Sequence, residues 1–405
     1  MPIMKISKVS QRLAGGDGHG WETHDKGLAL QAAGQDVILL SVGDPDFATP
    51  EPIFYEALAA MKHDRTHYSP AQGEPALRAA IAALETQTSH HPCDPDEVVV
   101  FPGATNALYA VLSCLVNPGD EILVPEPMYV GYWGITGALG LRVRTVPLDC
   151  ANNFAFDAAA VCDAITDETR VVMVNTPGNP GGNIIVREQL AGLAAYCRER
   201  EIWLLCDEVY SLITYKQRHV SLRASARALD NTVTVDGLSK SHAMSGWRVG
   251  WAVAPRELVP HLARFAGATM FGCPQFIQDA SAYALAHNIE HVERMRREYQ
   301  RRRDYVVERI NSLPGLGCHA PDAGMFVMVN VAALGMDGEG FAQRLLEKAR
   351  VTVVPGSAFG PSAADFVRVT LCQPMDVLVR AMDRIEAMLR ESVDKTPGAT
   401  CAALP

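Results

Sequence analysis

The sequence TVTVDGLSKSHAMSGWRVGW, residues 232–251, changes character in its middle. Thr232 to Val235 alternate β-branched residues, the pattern of a buried strand. Asp236, Gly237 and Ser239 break that pattern, so Lys240 is expected on a loop leaving a sheet. Arg248 follows eight residues later, flanked by Gly246 and the apolar run Trp247 to Val253, and is expected on the next strand. A lone lysine beside a strand is ordinarily solvated surface. Here glycine, serine and methionine stand where a solvated face would place charges. A lysine in such surroundings loses hydration, its pKa falls, and the neutral amine becomes a nucleophile toward carbonyls. An arginine nearby can hold a phosphate with its planar fork.

On both sides of this stretch, from about residue 50 to 280, strand-like and helical patterns alternate. The strand-like runs are 98–101, 121–125, 142–147, 170–175, 202–207, 232–235 and 249–253. Between them Glu188–Arg200 shows the clearest apolar stripe, with Leu190, Leu193, Ala194 and Cys197. Such alternation predicts an α/β fold, a mostly parallel sheet with helices on both faces. Sites in these sheets lie at the carboxyl ends of the strands, and several candidate segments sit there. Gly103, Ala104 and Thr105 open a helix whose first N–H groups suit a phosphate, although Thr105 could equally be a simple N-cap. Glu126-Pro127-Met128-Tyr129 follows the next strand, and Asn175-Thr-Pro-Gly-Asn179-Pro-Gly-Gly182 a later one. Asp207 ends a wholly apolar run and therefore needs a cationic partner or a dense hydrogen-bond shell.

Taken together, these segments resemble the class I pyridoxal-phosphate aminotransferases of fold type I. Ser239-Lys240-x7-Arg248 matches that family's lysine segment, Gly43-Asp-Pro-Asp-Phe47 its G-[ED]-P-D-F, and Asp207-Glu-Val-Tyr210 its D-E-x-Y. The likeness runs over roughly residues 30–390. It implies that Lys240 carries pyridoxal 5′-phosphate and that Asp207 faces the ring nitrogen. Asn179 and Tyr210 then meet the 3′-oxygen, and Tyr129 stacks on the ring. Gly103, Ala104, Thr105, Ser239 and Arg248 surround the phosphate, while Tyr68 reaches the phosphate of a neighbouring subunit in a homodimer. Gly43 lies over the substrate, and Arg368, on a strand of apolar neighbours, takes its α-carboxylate. Two positions depart from the family pattern: Gly237 and Gly181 stand where many members carry a hydroxyl residue. The stretches LLSVGDPDF, EPMYVGYW, LSKSHAMSGWRVGW and FIQDA are most similar to the arginine:pyruvate transaminases of the family.

The division expected is an N-terminal segment, 1–48, belonging to a small domain, a large cofactor-binding domain, 49–290, and a long charged interdomain helix, 281–313, leading into a small α+β unit. Residues 291–392 complete that small domain and 393–405 form a flexible tail. The glycine-rich residues 11–20 read as mobile, and no strand precedes them to make a dinucleotide loop. A net charge of −10 disfavours nucleic-acid binding. No apolar run approaches the ~20 residues of a membrane span, and the ten cysteines contain no CxxC pair. A soluble cytoplasmic enzyme with reduced thiols is expected. His287-Asn-Ile-Glu-His291 fits an inverted zinc-protease pattern, but it opens a charged helix away from every strand end, so no metal is expected.

Amino transfer from an L-amino acid to a 2-oxo acid is the reading these residues favour, with a basic or broad-range donor and pyruvate as acceptor. Thr105 stands where aspartate-specific relatives carry a lysine, and Thr269–Gln278 holds no arginine for a second carboxylate. Glu22 and Asp25, beside Trp21, are the carboxylates considered for a guanidinium, against the plain alternative that they cap or solvate a helix. The alternatives are an aspartate or aromatic aminotransferase using 2-oxoglutarate, a lyase on the same scaffold, or a cofactor-binding regulator. Only about forty residues precede GDPDF, too few for a helix-turn-helix domain and linker.

Overall fold

The computed structural model describes residues 5–16, 20–224, 229–287 and 289–393. After a short first strand, β1 (Ile38–Leu39), seven strands build the large sheet. They are β2 (Val98–Phe101), β3 (Glu121–Glu126), β4 (Arg142–Pro147), β5 (Thr169–Asn175), β6 (Trp203–Asp207), β7 (Thr232–Gly237) and β8 (Gly250–Val253). Their order is β2-β8-β7-β6-β5-β3-β4, and only β8 runs antiparallel to its neighbours. The central strands β6 and β7 are buried at nearly every position because both faces are covered. Alternate residues go to opposite faces. Ile122, Val124, Val171, Met173 and Leu205 join one core, under the helices Ala104–Leu115 and Val259–Thr269. Leu123, Val172, Val174, Leu204 and Cys206 join another, under the helix Arg187–Glu199.

The second unit is an antiparallel sheet of β9 (Gly317–Cys318), β10 (Phe326–Asn330), β12 (Val354–Pro355) and β13 (Phe366–Thr370), in the order β12-β13-β10-β9. The extended run 351–355 is divided between two sheets. Its first part is β11 (Val351–Thr352), which pairs in parallel with β1, Ile38 opposite Val351, while β12 turns to β13. One core joins β1, β10 and β13 to the helices Ile289–Ser312, Gly338–Ala349 and Met375–Val393.

Of residues 281–313, 281–287 belong to the helix Gln275–His287 and 289–312 to the helix Ile289–Ser312, residue 288 lying outside the described residues. The second keeps one buried stripe, Val292, Met295, Tyr299, Val306 and Ile310, and its charges pair along the exposed side, as in Arg296 with Glu293. Residues 11–16, read as mobile, belong to the helix Lys8–Gly16, and Arg12 Nε donates to the Gly137 carbonyl at 2.6 Å. Residues 17–19 of that stretch, and 394–405 of the expected tail, lie outside the described residues. No helix among the described residues is long and apolar enough to cross a membrane. The nine described cysteines are free.

Candidate active site

A cleft of about 520 Å³ opens at the carboxyl ends of the parallel strands, where β1 and β13 of the second unit come close. Register brings its floor together: Asn175 lies opposite Asp207, and Asp207 opposite Val235. Beyond β7 the chain turns at once into the short helix Leu238–Ser241, so Lys240 sits on its last turn rather than on a loop. Its Nζ donates to the Gly43 carbonyl at 2.6 Å. Burial pulls the Lys240 pKa down; Cys372 and Asp44 oppose that, and Arg368 and Arg248 add to it. Arg248 is not on β8 but just before it, at φ 55°, where the left-handed turn swings its guanidinium over Gly103. A Cβ on Gly103, itself at φ 88°, would collide with that guanidinium. No side chain caps the helix Ala104–Leu115, so Thr105 is not its N-cap, and Ala104 and Thr105 line the cleft at the positive end of the helix dipole.

Asp207 is 4 % exposed and accepts from Tyr132 Oη at 2.7 Å and from the Val209 N–H at 3.3 Å. Burial outweighs both bonds and pushes its carboxyl up to about 6. Asn179 is held twice: its Nδ2 donates to Tyr210 Oη at 3.3 Å, and its Oδ1 accepts from Arg368 Nη1 at 3.0 Å. Arg368 Nη2 donates to the Ser41 carbonyl at 2.7 Å, and the guanidinium lies 4.0 Å from the Phe326 ring centre and 4.8 Å from that of Phe359. Burial lowers its pKa to about 10, and its Nε is buried without a partner. Tyr129 lines the same cleft edge-on to Tyr132, ring centres 5.4 Å apart. Ser239 and Gly43 complete the lining, and a Cβ on Gly43 would run into Phe326.

These residues fit a group carrying a phosphate and a protonated ring nitrogen. Arg248, the uncapped helix start and Ser239 suit the phosphate; the buried Asp207 suits a cation; the orphaned Nε of Arg368 suits a carboxylate. The profile of the family described as aminotransferase class I and II matches residues 35–385. The chain belongs to the class I and II aminotransferases. Among its relatives, an arginine–pyruvate transaminase of Pseudomonas aeruginosa is 44% identical over 382 residues, covering 94% of this chain and 97% of the relative. An aspartate aminotransferase of Musicola paradisiaca is 35% identical, over 91% and 92% of the two chains. The solved aspartate aminotransferase of Thermus thermophilus with maleate superposes with a TM-score of 0.90, at 31% identity, over 95% of this chain and 100% of that one. This aminotransferase depends on pyridoxal phosphate and has the fold of type I enzymes.

Five residues considered from sequence lie away from the cleft. Tyr68 is 80% exposed and packs on Phe271, ring centres 5.2 Å apart. Glu22 pairs with Lys26 at 3.7 Å on the exposed first turn of the helix Glu22–Ala32, and Asp25 occupies the same turn; only Trp21 lines the cleft. His287 and His291 each make a local contact instead. His287 Nδ1 donates to the Tyr283 carbonyl, and Arg294 donates to His291 Nδ1. The departures at two glycines have steric causes. A Cβ on Gly237 would lie 2.7 Å from the Val249 carbonyl oxygen, and one on Gly181 3.0 Å from Phe154. Sequence reasoning missed Tyr132, although it stands three residues after Tyr129 on one helical start, a spacing that puts both rings on one face.

Proposed function

We propose that this aminotransferase takes its amino group from a basic or broad-range L-amino acid and gives it to pyruvate. The observation that carries this is the 44% identity to an arginine–pyruvate transaminase over nearly the whole chain. The cleft agrees with it: its described basic residues are Lys240, Arg248 and Arg368, so once a phosphate and an α-carboxylate are held, nothing cationic remains for a side-chain carboxylate.

Bound pyridoxal phosphate supplies a ring that accepts the electron pair left at the substrate Cα. Lys240 Nζ, its pKa pulled down by burial, would hold the cofactor and, when freed from it, would carry the proton at the substrate Cα. Asp207, aligned by Tyr132, would keep the ring nitrogen protonated. Asn179 and Tyr210, already bonded to each other, would donate to the 3′-oxygen. Tyr129 would pack on the ring, and Gly103, Ala104, Thr105, Ser239 and Arg248 would hold the phosphate. Arg368 turns its free donors to the α-carboxylate, with Gly43 closing the cleft above.

The working unit is a homodimer in which Tyr68 reaches the neighbouring phosphate site, consistent with its exposure. The pairing of β1 with β11 supports grouping residues 1–48 with 291–392 as the small domain, against 49–290 as the large one. We place the protein in the cytoplasm, in keeping with its free thiols, and subcellular fractionation checks this. The donor assignment is tested by kcat/KM for arginine, lysine, alanine, phenylalanine and aspartate at fixed pyruvate, then for aspartate with 2-oxoglutarate. Preference for a basic or neutral donor is expected. A clear preference for aspartate would overturn the donor, and release of product without a 2-oxo acid would point to a lyase.

A further inference from the structure

The helix Glu22–Ala32 lies close against the paired strands β1 and β11. A Cβ on Gly27 would sit 2.4 Å from Thr352 Cγ2 and 3.1 Å from Leu39 Cδ2, so the glycine lets the two surfaces meet. Three residues earlier, on the same face of that helix, is His24. Its Nδ1 is 2.8 Å from Ser41 Oγ, which is in turn 3.0 Å from Thr352 Oγ1. Ser41 and Thr352 are both buried. The relay is satisfied in either direction, since each hydroxyl can donate to one neighbour and accept from the other. Trp21, which lines the cleft, meets the His24 ring edge-on at 5.5 Å, and Thr23 Oγ1 donates to the Val353 carbonyl at 3.0 Å. His24 is thus held on both sides.

We propose that His24 is a positioning residue for substrate binding: through Ser41 it fixes the carbonyl against which Arg368 is aligned. This rests on the reading of Arg368 as the α-carboxylate anchor and does not depend on which donor is used. The pairing of β1 with β11 ends at Leu39 and Thr352, and the Leu40 N–H still reaches the Thr352 carbonyl at 2.9 Å. At Ser41 the chain leaves the ladder, and its side chain takes over the tie to β11. The Ser41 carbonyl accepts from Arg368 Nη2 at 2.7 Å, while Asn179 Oδ1 accepts from Nη1 at 3.0 Å. These two acceptors set the plane of the guanidinium, and hence the direction its remaining N–H groups face. A bidentate grip on a carboxylate depends on that plane. Without His24, Ser41 keeps one of its two side-chain partners, and the carbonyl that sets one edge of the fork is less firmly placed.

The test is a double-mutant cycle on the holoenzyme, read as kcat/KM for the best of the donors named above at fixed pyruvate. His24→Ala should lower it about fivefold, the size of one net hydrogen bond, through KM with kcat little changed. His24→Asn, whose side-chain amide can still meet Ser41 Oγ, should restore most of the loss. Ser41→Ala keeps the carbonyl and removes the hydroxyl; it should reproduce the loss, and it decides the matter if His24→Ala misfolds. In the Arg368→Gln background His24→Ala should change nothing further, because the group it positions is gone. If Arg368→Gln alone leaves kcat/KM intact, the anchor reading itself fails. If Arg368→Gln is impaired but His24→Ala has the same effect with and without Arg368, or none in either, the His24 proposal is overturned and the anchor reading stands.

Discussion

At Asp207 two influences oppose each other: burial raises the carboxyl to about 6, while the bonds from Tyr132 and the Val209 N–H pull it down. An ordinary aspartate titrates near ~3.9. A raised folded value means the residue favours the folded chain fully below about pH 4 and loses that contribution as pH rises through about 6. Two units correspond to roughly 3 kcal/mol. Glu85, pushed up to about 7 by burial, acts in the same direction, so the comparison must be with a variant. Urea unfolding of cofactor-free protein is predicted to show Asp207→Asn gaining on wild type by about 2–3 kcal/mol between pH 4 and pH 8. A gap that does not move with pH would contradict it. Single residues were legible where a local pattern marked them, as Lys240 among uncharged neighbours and Asp207 at the end of an apolar strand. Phe326 and Phe359 were not, because they reach Arg368 from separate elements and nothing local to either announces the contact.

The element that closes the cleft is the GDPDF segment after β1, and its anchor lies on the helix Ile289–Ser312. Arg302 is 4 % exposed, grips Asp46 with both Nη atoms, donates to the Leu371 carbonyl beyond β13, and lies 5.1 Å from the Phe47 ring. One guanidinium thus ties Gly43 and the strand bearing Arg368 to a single helix. Asp46→Asn removes a negative charge facing the buried guanidinium, keeps one neutral acceptor, and leaves Glu298 as its charged partner. Urea unfolding should show a loss of about 1–3 kcal/mol, and kcat/KM should fall for every donor alike. Unchanged stability and kinetics would show that the grip is incidental. Strands and helices of the large sheet were readable because period-2 and helical patterns alternate cleanly. The division at Val353 was hidden because its two strands pair with partners far along the chain.

For the molecule as a whole, the cleft lies where two sheets meet, and Tyr68 stands outside it on the surface with Phe271. A tyrosine 80% exposed has no use in its own chain's cleft, which is why assembly belongs to the account. Hybrids of Tyr68→Phe and Lys240→Ala subunits should show the activity pattern of shared sites, and full activity in a dilute monomer would contradict that. The central claim is that the lysine beyond β7 carries the cofactor at the strand ends. Borohydride reduction of the loaded enzyme followed by peptide mapping tests it most directly. The account predicts the reduced cofactor on Lys240 and its loss, together with transamination, in Lys240→Ala; the label on any other lysine would contradict it.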